Sequence, residues 1–158
     1  MTKITLFLFI FFSLIRINAQ DWRSSYEQIK TDFSTGQYAS VITVGNELLK
    51  TLEDNGLSED TTFVNTLYYI ENAHFYANEY EQAVEVGKKQ VALCKNTYGV
   101  EHYFYQQSCY LLAILATYAS DYETSIFYFE EVLSLMRKNQ EDNTPEFITI
   151  ANQLAGIY

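Results

Sequence analysis

The chain has 158 residues, with 20 Asp and Glu against 10 Lys and Arg and a formal charge of −10. That length allows one domain with a fair core. The charge argues against nucleic acid, whose affinity rests on Lys and Arg neutralising phosphates, and against an anionic membrane surface.

The N-terminal segment has the order of parts of an export signal. Lys3 is a positive start, Ile4 to Ile15 is apolar apart from Thr5 and Ser13, and Ile17-Asn18-Ala19 ends on a small residue before Gln20. A translocon and a signal peptidase read that order, and the apolar run falls short of the ~20 residues of a membrane span. Residues 1–19 are therefore predicted to be a signal peptide, an uncleaved anchor being the alternative. Residues 20–158 are predicted to work in a periplasm or secreted, without a membrane role. Cleavage removes Lys3 and Arg16 but no acid, leaving 8 basic residues against 20 acidic ones and a charge of −12.

Beyond the signal the chain repeats itself. Gly36-Gln37-Tyr38, Asn78-Glu79-Tyr80 and Ser120-Asp121-Tyr122 are spaced by 42 residues, and the same offset links Tyr26, Tyr68 and Tyr110. It also links Phe33 with Phe75, Ile42 with Val84 and Ile126, Leu49 with Val91 and Leu133, and Leu112-Ala113 with Leu154-Ala155. A fixed period without insertions marks a repeat architecture. Apolar residues recur at helical spacing on both sides of each triplet, so each unit reads as two helices. The helices are placed near 21–35, 38–54, 61–77, 80–97, 103–119, 122–138 and 145–158. Polar breaks at 53–60, 96–102 and 139–145 separate the hairpins. Thr144 is a good N-cap, and Pro145, the only Pro in the chain, suits the first helical position, where its missing N–H costs nothing.

The triplet followed by a small residue three positions on (Ala83, Ser125) resembles the inter-helix turn of a tetratricopeptide repeat (TPR). Leu112-Ala113 and Leu154-Ala155 resemble its Leu-small pair. The 42-residue period, with Gly99-Val100-Glu101-His102 and Asn143-Thr144-Pro145-Glu146 before the hairpins, resembles the kinesin-light-chain-like subtype. Val41 and Glu71 depart from the pattern, standing where the family prefers small residues. The resemblance covers residues 21–158. It implies an all-α, right-handed solenoid of antiparallel helical hairpins of about three and a half repeats. Their units are about 21–60, 61–102, 103–144 and a partial 145–158.

The resemblance also implies a non-catalytic scaffold that binds a protein or peptide on a concave face built from the first helix of each hairpin. It places Tyr26, Tyr68, Asn72, Tyr76, Tyr110 and Tyr118 there as partner-binding residues, with Lys30, Phe33, Asn65, Phe75, Gln107, Ile114 and Thr117 beside them. Tyrosine suits such a face because it offers a large area with a polar tip. Some of these rings are expected to pack between hairpins instead.

No catalytic constellation, metal set or cofactor motif is present in the sequence. His74 and His102 lie in different units and are read as structural. Cys94 and Cys109 align with apolar positions and are expected to be buried free thiols, although a bridge between their antiparallel helices is geometrically conceivable. The acidic runs Glu53-Asp54, Glu59-Asp60 and Glu141-Asp142 read as solvated loops. The last helix shows Phe147, Ile148, Ile150, Leu154 and Ile157 without a partner, so end-to-end association through it is one expectation. The alternative is an N-terminal sensor or docking fragment of a larger exported protein. Arrays of this type resemble those joined to caspase-like (CHAT) peptidases or histidine kinases, whose activity would lie beyond residue 158. A spacer without ligand is the third reading.

Overall fold

The computed structural model describes residues 22–158, and within them it is entirely α-helical. The helices are α1 (22–34), α2 (Tyr38–Asp54), α3 (Thr61–Tyr76), α4 (Tyr80–Tyr98), α5 (Tyr103–Tyr118), α6 (Tyr122–Lys138) and α7 (Pro145–Ala155). They fall within a few residues of the predicted ranges. The predicted signal peptide lies outside the described residues. The chain divides into two compact units, the first ending at Tyr69 and the second running Ile70–Tyr158, with the division inside α3.

The repeated triplet is a helix stop with a defined geometry. Gly36, Asn78 and Ser120 have φ of 75°, 61° and 60°, the left-handed region. In each, the next residue donates its N–H back to a carbonyl five residues earlier: Gln37 to Asp32 at 2.8 Å, Glu79 to His74 at 2.9 Å and Asp121 to Ala116 at 2.9 Å. This is the Schellman arrangement, which satisfies the last carbonyls of one helix and turns the chain into the next. The first place in the triplet is therefore held by Gly, Asn or a strained Ser. Ser120→Gly is expected to stabilise the second unit by about 0.5–1 kcal/mol, after the extra chain entropy of Gly is deducted. A urea-unfolding midpoint that does not rise would refute it.

The starts of α3, α5, α6 and α7 are capped by side chains, whereas those of α2 and α4, which follow directly on the turn, are not. Asp60 accepts from Thr62 N at 2.7 Å, the His102 ring Nδ1 from Phe104 N at 3.1 Å, Asp121 from Thr124 N at 3.2 Å and Thr144 from Phe147 N at 3.2 Å. The expected cap at Thr144 and the structural role of His102, whose ring also stacks on Tyr98 at 4.8 Å, are both present. The acidic runs are not all loop: Glu53 and Asp54 close α2, and Asp60 is a cap.

In the first unit Ile29, Val41, Leu48, Leu52, Phe63, Val64 and Leu67 form the buried side. Val41 occupies the predicted small-residue position fully buried, and the Ser40 hydroxyl donates to Asp32 at 2.6 Å beside it. In the second unit α4 packs on α5, α5 on α6 and α6 on α7. Its core holds Ile70, Val84, Val91, Leu112, Leu115, Phe129, Val132, Leu133, Met136 and Ile150. Ile150 corrects the expectation of a last helix without a partner: it is buried, and Arg137 of α6 covers the Phe147 ring at 5.2 Å. Ile148 remains 54% exposed. Cys94 and Cys109 are buried and free, as expected from their apolar register.

One pair of positions alternates in size along the repeat. Ile29, Glu71 and Ala113 share one register place in the first helix of each hairpin, and Gly45, Gly87 and Phe129 share one in the second. All six are buried. A large residue faces the registry of Gly twice, and Ala faces that of Phe once. Where the contact is resolved it is tight: a Cβ added to Gly87 meets Glu71 Oε2 at 3.2 Å, Leu112 Cδ1 at 3.1 Å and Leu115 Cδ1 at 3.5 Å. Close-packed interiors conserve volume in this way, one partner giving up what the other takes.

Candidate partner-binding groove

In the first unit the two predicted tyrosines differ. Tyr26 is half-buried, its ring edge-on to Tyr69 at 6.2 Å and under the Lys30 ammonium at 5.7 Å. Burial raises its phenol pKa, partly offset by a hydrogen bond with Asn65. Tyr68 is 45% exposed, its ring 5.7 Å from that of Tyr69 and steeply inclined to it.

In the second unit, Phe75 of α3, Tyr80 of α4 and Tyr118 of α5 form an aromatic triad. The Phe75 ring stands at 4.8 Å and 86° to Tyr118, and Tyr80 lies 5.7 Å from each. The Phe75–Tyr118 pair is edge-to-face, the two pairs with Tyr80 are tilted, and all three separations lie in the range that aromatic pairs prefer. The triad holds Tyr118 in place while leaving it 55% exposed, and Tyr76 beside Phe75 is 53% exposed. Asn72 is half-buried on the same helix.

Tyr118 borders a hollow of about 220 Å³. Its walls are Ile114, Thr117 and Tyr118 from α5 and Asn152, Gln153, Gly156 and Ile157 from and just past α7, over Phe129 of α6. Phe129 is buried, so its ring is the floor. Tyr110 touches two of the lining residues, its hydroxyl donating to Gln153 Oε1 at 3.3 Å and its ring lying 6.2 Å from Phe129. The Thr117 hydroxyl is shared with Ser125 at 2.7 Å, which ties α5 to α6 behind the hollow. The result is an apolar recess with two primary amides and a phenol at its edge.

Ile114, Thr117 and Tyr118 of the α5 wall are among the residues that the resemblance assigns to a concave face; the α7 residues are not. The 42-residue register carries the signal for them: Tyr26, Tyr68 and Tyr110 continue to Asn152, and Asn72 and Ile114 continue to Gly156. Phe129 was missed because its helical period assigns it to the core, where it also belongs.

The groups with reactive side chains are engaged structurally. The His74 ring Nδ1 pairs with Glu79 Oε2 at 2.7 Å across the turn between α3 and α4. Burial pushes the Cys109 thiol up to about 12 and also raises Cys94, so neither is a thiolate near neutrality. Burial likewise pushes up the Tyr105 phenol, which donates to Glu131 at 3.1 Å. Among the described residues no three His, Cys, Asp or Glu side chains are grouped to hold a metal ion.

No protein-family model matches the chain, and no curated protein does. Solved structures do. A Podosopora anserina protein assigned to the kinesin light chains, built of nearly identical TPR-like repeats, superposes with a TM-score of 0.70 at 19% identity. The match covers 86% of this chain and 64% of that one. A single-substitution variant of the same protein gives 0.71 at 19%, with the same coverage. The chain thus spans a little under two thirds of the length of the solved chains it matches. Its fold is a TPR-like solenoid of helical hairpins.

Proposed function

We propose that the chain is a protein-interaction scaffold whose second unit captures a peptide or protein segment in the groove between α5 and α7. The observation that carries this reading is the recess over Phe129. Its volume of about 220 Å³ suits one large apolar side chain. Asn152 and Gln153 each present an amide that both donates and accepts, which matches a peptide backbone. Tyr118 and Tyr76 add exposed rings beside it. A groove with an apolar anchor site, rigid aromatic walls and amides at the rim is the composition of a recognition surface.

On this reading Tyr76, Asn72, Tyr110 and Tyr118 serve the second unit, and Tyr68 with Tyr26 forms a separate aromatic surface on the first. The scaffold works outside the cytoplasm, carried there by residues 1–19. A role as the docking arm of a larger exported protein uses the same groove. Exposed Ile148 on α7 is the place for any end-to-end association.

A random-peptide display library panned on the full chain tests the groove. The enriched peptides are expected to share a single large apolar residue. Ile114→Glu should weaken their binding by about tenfold or more, equivalent to about 1.4 kcal/mol. Tyr122→Ala, exposed but away from the recess, should leave it unchanged. Enrichment without a common apolar residue, or equal binding to Ile114→Glu, would remove the proposal.

A further inference from the structure

Glu71 is the one described acid with a buried carboxyl that lacks any hydrogen bond. It is 0% exposed, and neither Oε1 nor Oε2 meets a hydrogen-bond partner among the described residues. Its Oε2 lies against the bare backbone of Gly87 on α4, 3.2 Å from where a Cβ would stand. Leu112 and Leu115 of α5 crowd the same point.

The titratable groups nearby do not supply a counter-charge. On α3 the His74 ring is engaged with Glu79. On α4, Lys88 is drawn outward to Glu85 at 3.7 Å and Asp121 at 3.9 Å. Cys94 on α4 is a buried thiol, its pKa raised by burial. On α5, Cys109 and Tyr105 are neutral, being held above their usual ranges by burial.

A carboxylate in such a place loses its hydration with nothing in return, a cost of several kcal/mol, whereas the neutral acid loses far less. We propose that Glu71 is carried protonated in the folded second unit, so that this unit is an acid-stabilised element: tightest in mildly acidic medium and progressively looser as the medium turns alkaline. The Gly87 notch is what accommodates the acid, and the ionisation of one side chain is what loosens the packing of α3 on α4 and α5.

The sign follows from proton counting. Burial holds the folded carboxyl well above the usual range, while the unfolded chain releases the proton near the ordinary value of about 4.3. Between the two, the folded state holds one more proton than the unfolded state. Stability from this group is therefore fully present below the unfolded value and is lost as pH rises toward the folded one. In that window each pH unit lowers the folding constant about tenfold.

The experiment is urea unfolding of the full chain, followed by circular dichroism, at about pH 5 and about pH 7.5. Rising net charge weakens every version of an acidic protein over this range, so the readout is the difference between variants. The folding constant of the wild type is expected to fall on the order of a hundredfold more than that of Glu71→Gln. Glu85→Gln removes one exposed charge and should follow the wild type. Glu71→Met keeps the volume without a titrating group; it covers the case in which Gln fails to fold, and it too should show the shallower pH dependence. An infrared spectrum of the wild type at neutral pH should contain a protonated-carboxyl band. Equal pH dependence in wild type, Gln and Met variants, or a neutral-pH spectrum without that band, would overturn the proposal.

Discussion

Gly87→Phe is expected to destabilise the second unit by about 3 kcal/mol, and Glu71→Ala introduced beside it is expected to restore most of the loss. At Gly87 even a methyl group falls 3.1–3.2 Å from Leu112 and Glu71, so an aromatic ring cannot enter without displacing them. Glu71→Ala alone clears that space but leaves a void lined by Leu112 and Leu115, which costs packing energy in proportion to its volume. The double variant reproduces the third hairpin, where Ala113 and Phe129 occupy the corresponding places and both are buried. Urea midpoints of the four proteins form a double-mutant cycle with an expected coupling of at least about 2 kcal/mol. Additive effects would show that Glu71 and Gly87 do not share one volume, and that the alternation along the repeat is incidental.

The repeat and its hairpins were legible because the period is free of insertions and because the turn leaves a chemical mark. Only Gly, or a residue that tolerates the left-handed region, holds the first place of the triplet, and Gly36, Asn78 and Ser120 all do so. Glu71 was legible as a departure from a small-residue position. Its accommodation by Gly87 was not, because that requires reading a position on one helix jointly with another sixteen residues away on the next. His74 is similar. Its partner Glu79 lies five residues on, a spacing that does not bring side chains together on a helix but does so across a Schellman turn. The groove shows the opposite failure. The tyrosine column at 26, 68 and 110 was visible, yet its fourth place, Asn152, carries an amide, and a search by residue type stops at Tyr110. Exposure of Tyr76 and Tyr118, against the half-burial of Tyr26 and Tyr110, depends on which neighbouring ring fills the gap beside each. Helical spacing does not carry that information.

Phe129→Ala is the second large effect, and it touches both the fold and the groove. The ring is buried beneath α5 and α7, and it stands where the hairpin pairs a large residue with Ala113. Ala113 offers no side chain able to swing into the space, so the cavity stays open and the cost should lie near the upper part of the 3–5 kcal/mol typical of Phe→Ala. Loss of the Tyr110 ring contact, 6.2 Å away and steeply inclined, adds a further few tenths to about 1 kcal/mol. Ala113→Leu should recover part of this in the double variant by refilling the pair from the other helix, as Ile29 fills the place opposite the register of Gly45. The groove then offers a second readout that a purely structural role would not move. In Phe129→Ala itself the floor is lost and the recess deepens, so display panning on that variant where it still folds is expected to shift the large apolar anchor toward Trp, and the refilled double variant is expected to shift it less. A loss below about 1 kcal/mol would mean that α5, α6 and α7 collapse freely onto one another, and Phe129 would then be neither the keystone of the third hairpin nor the floor of the binding site.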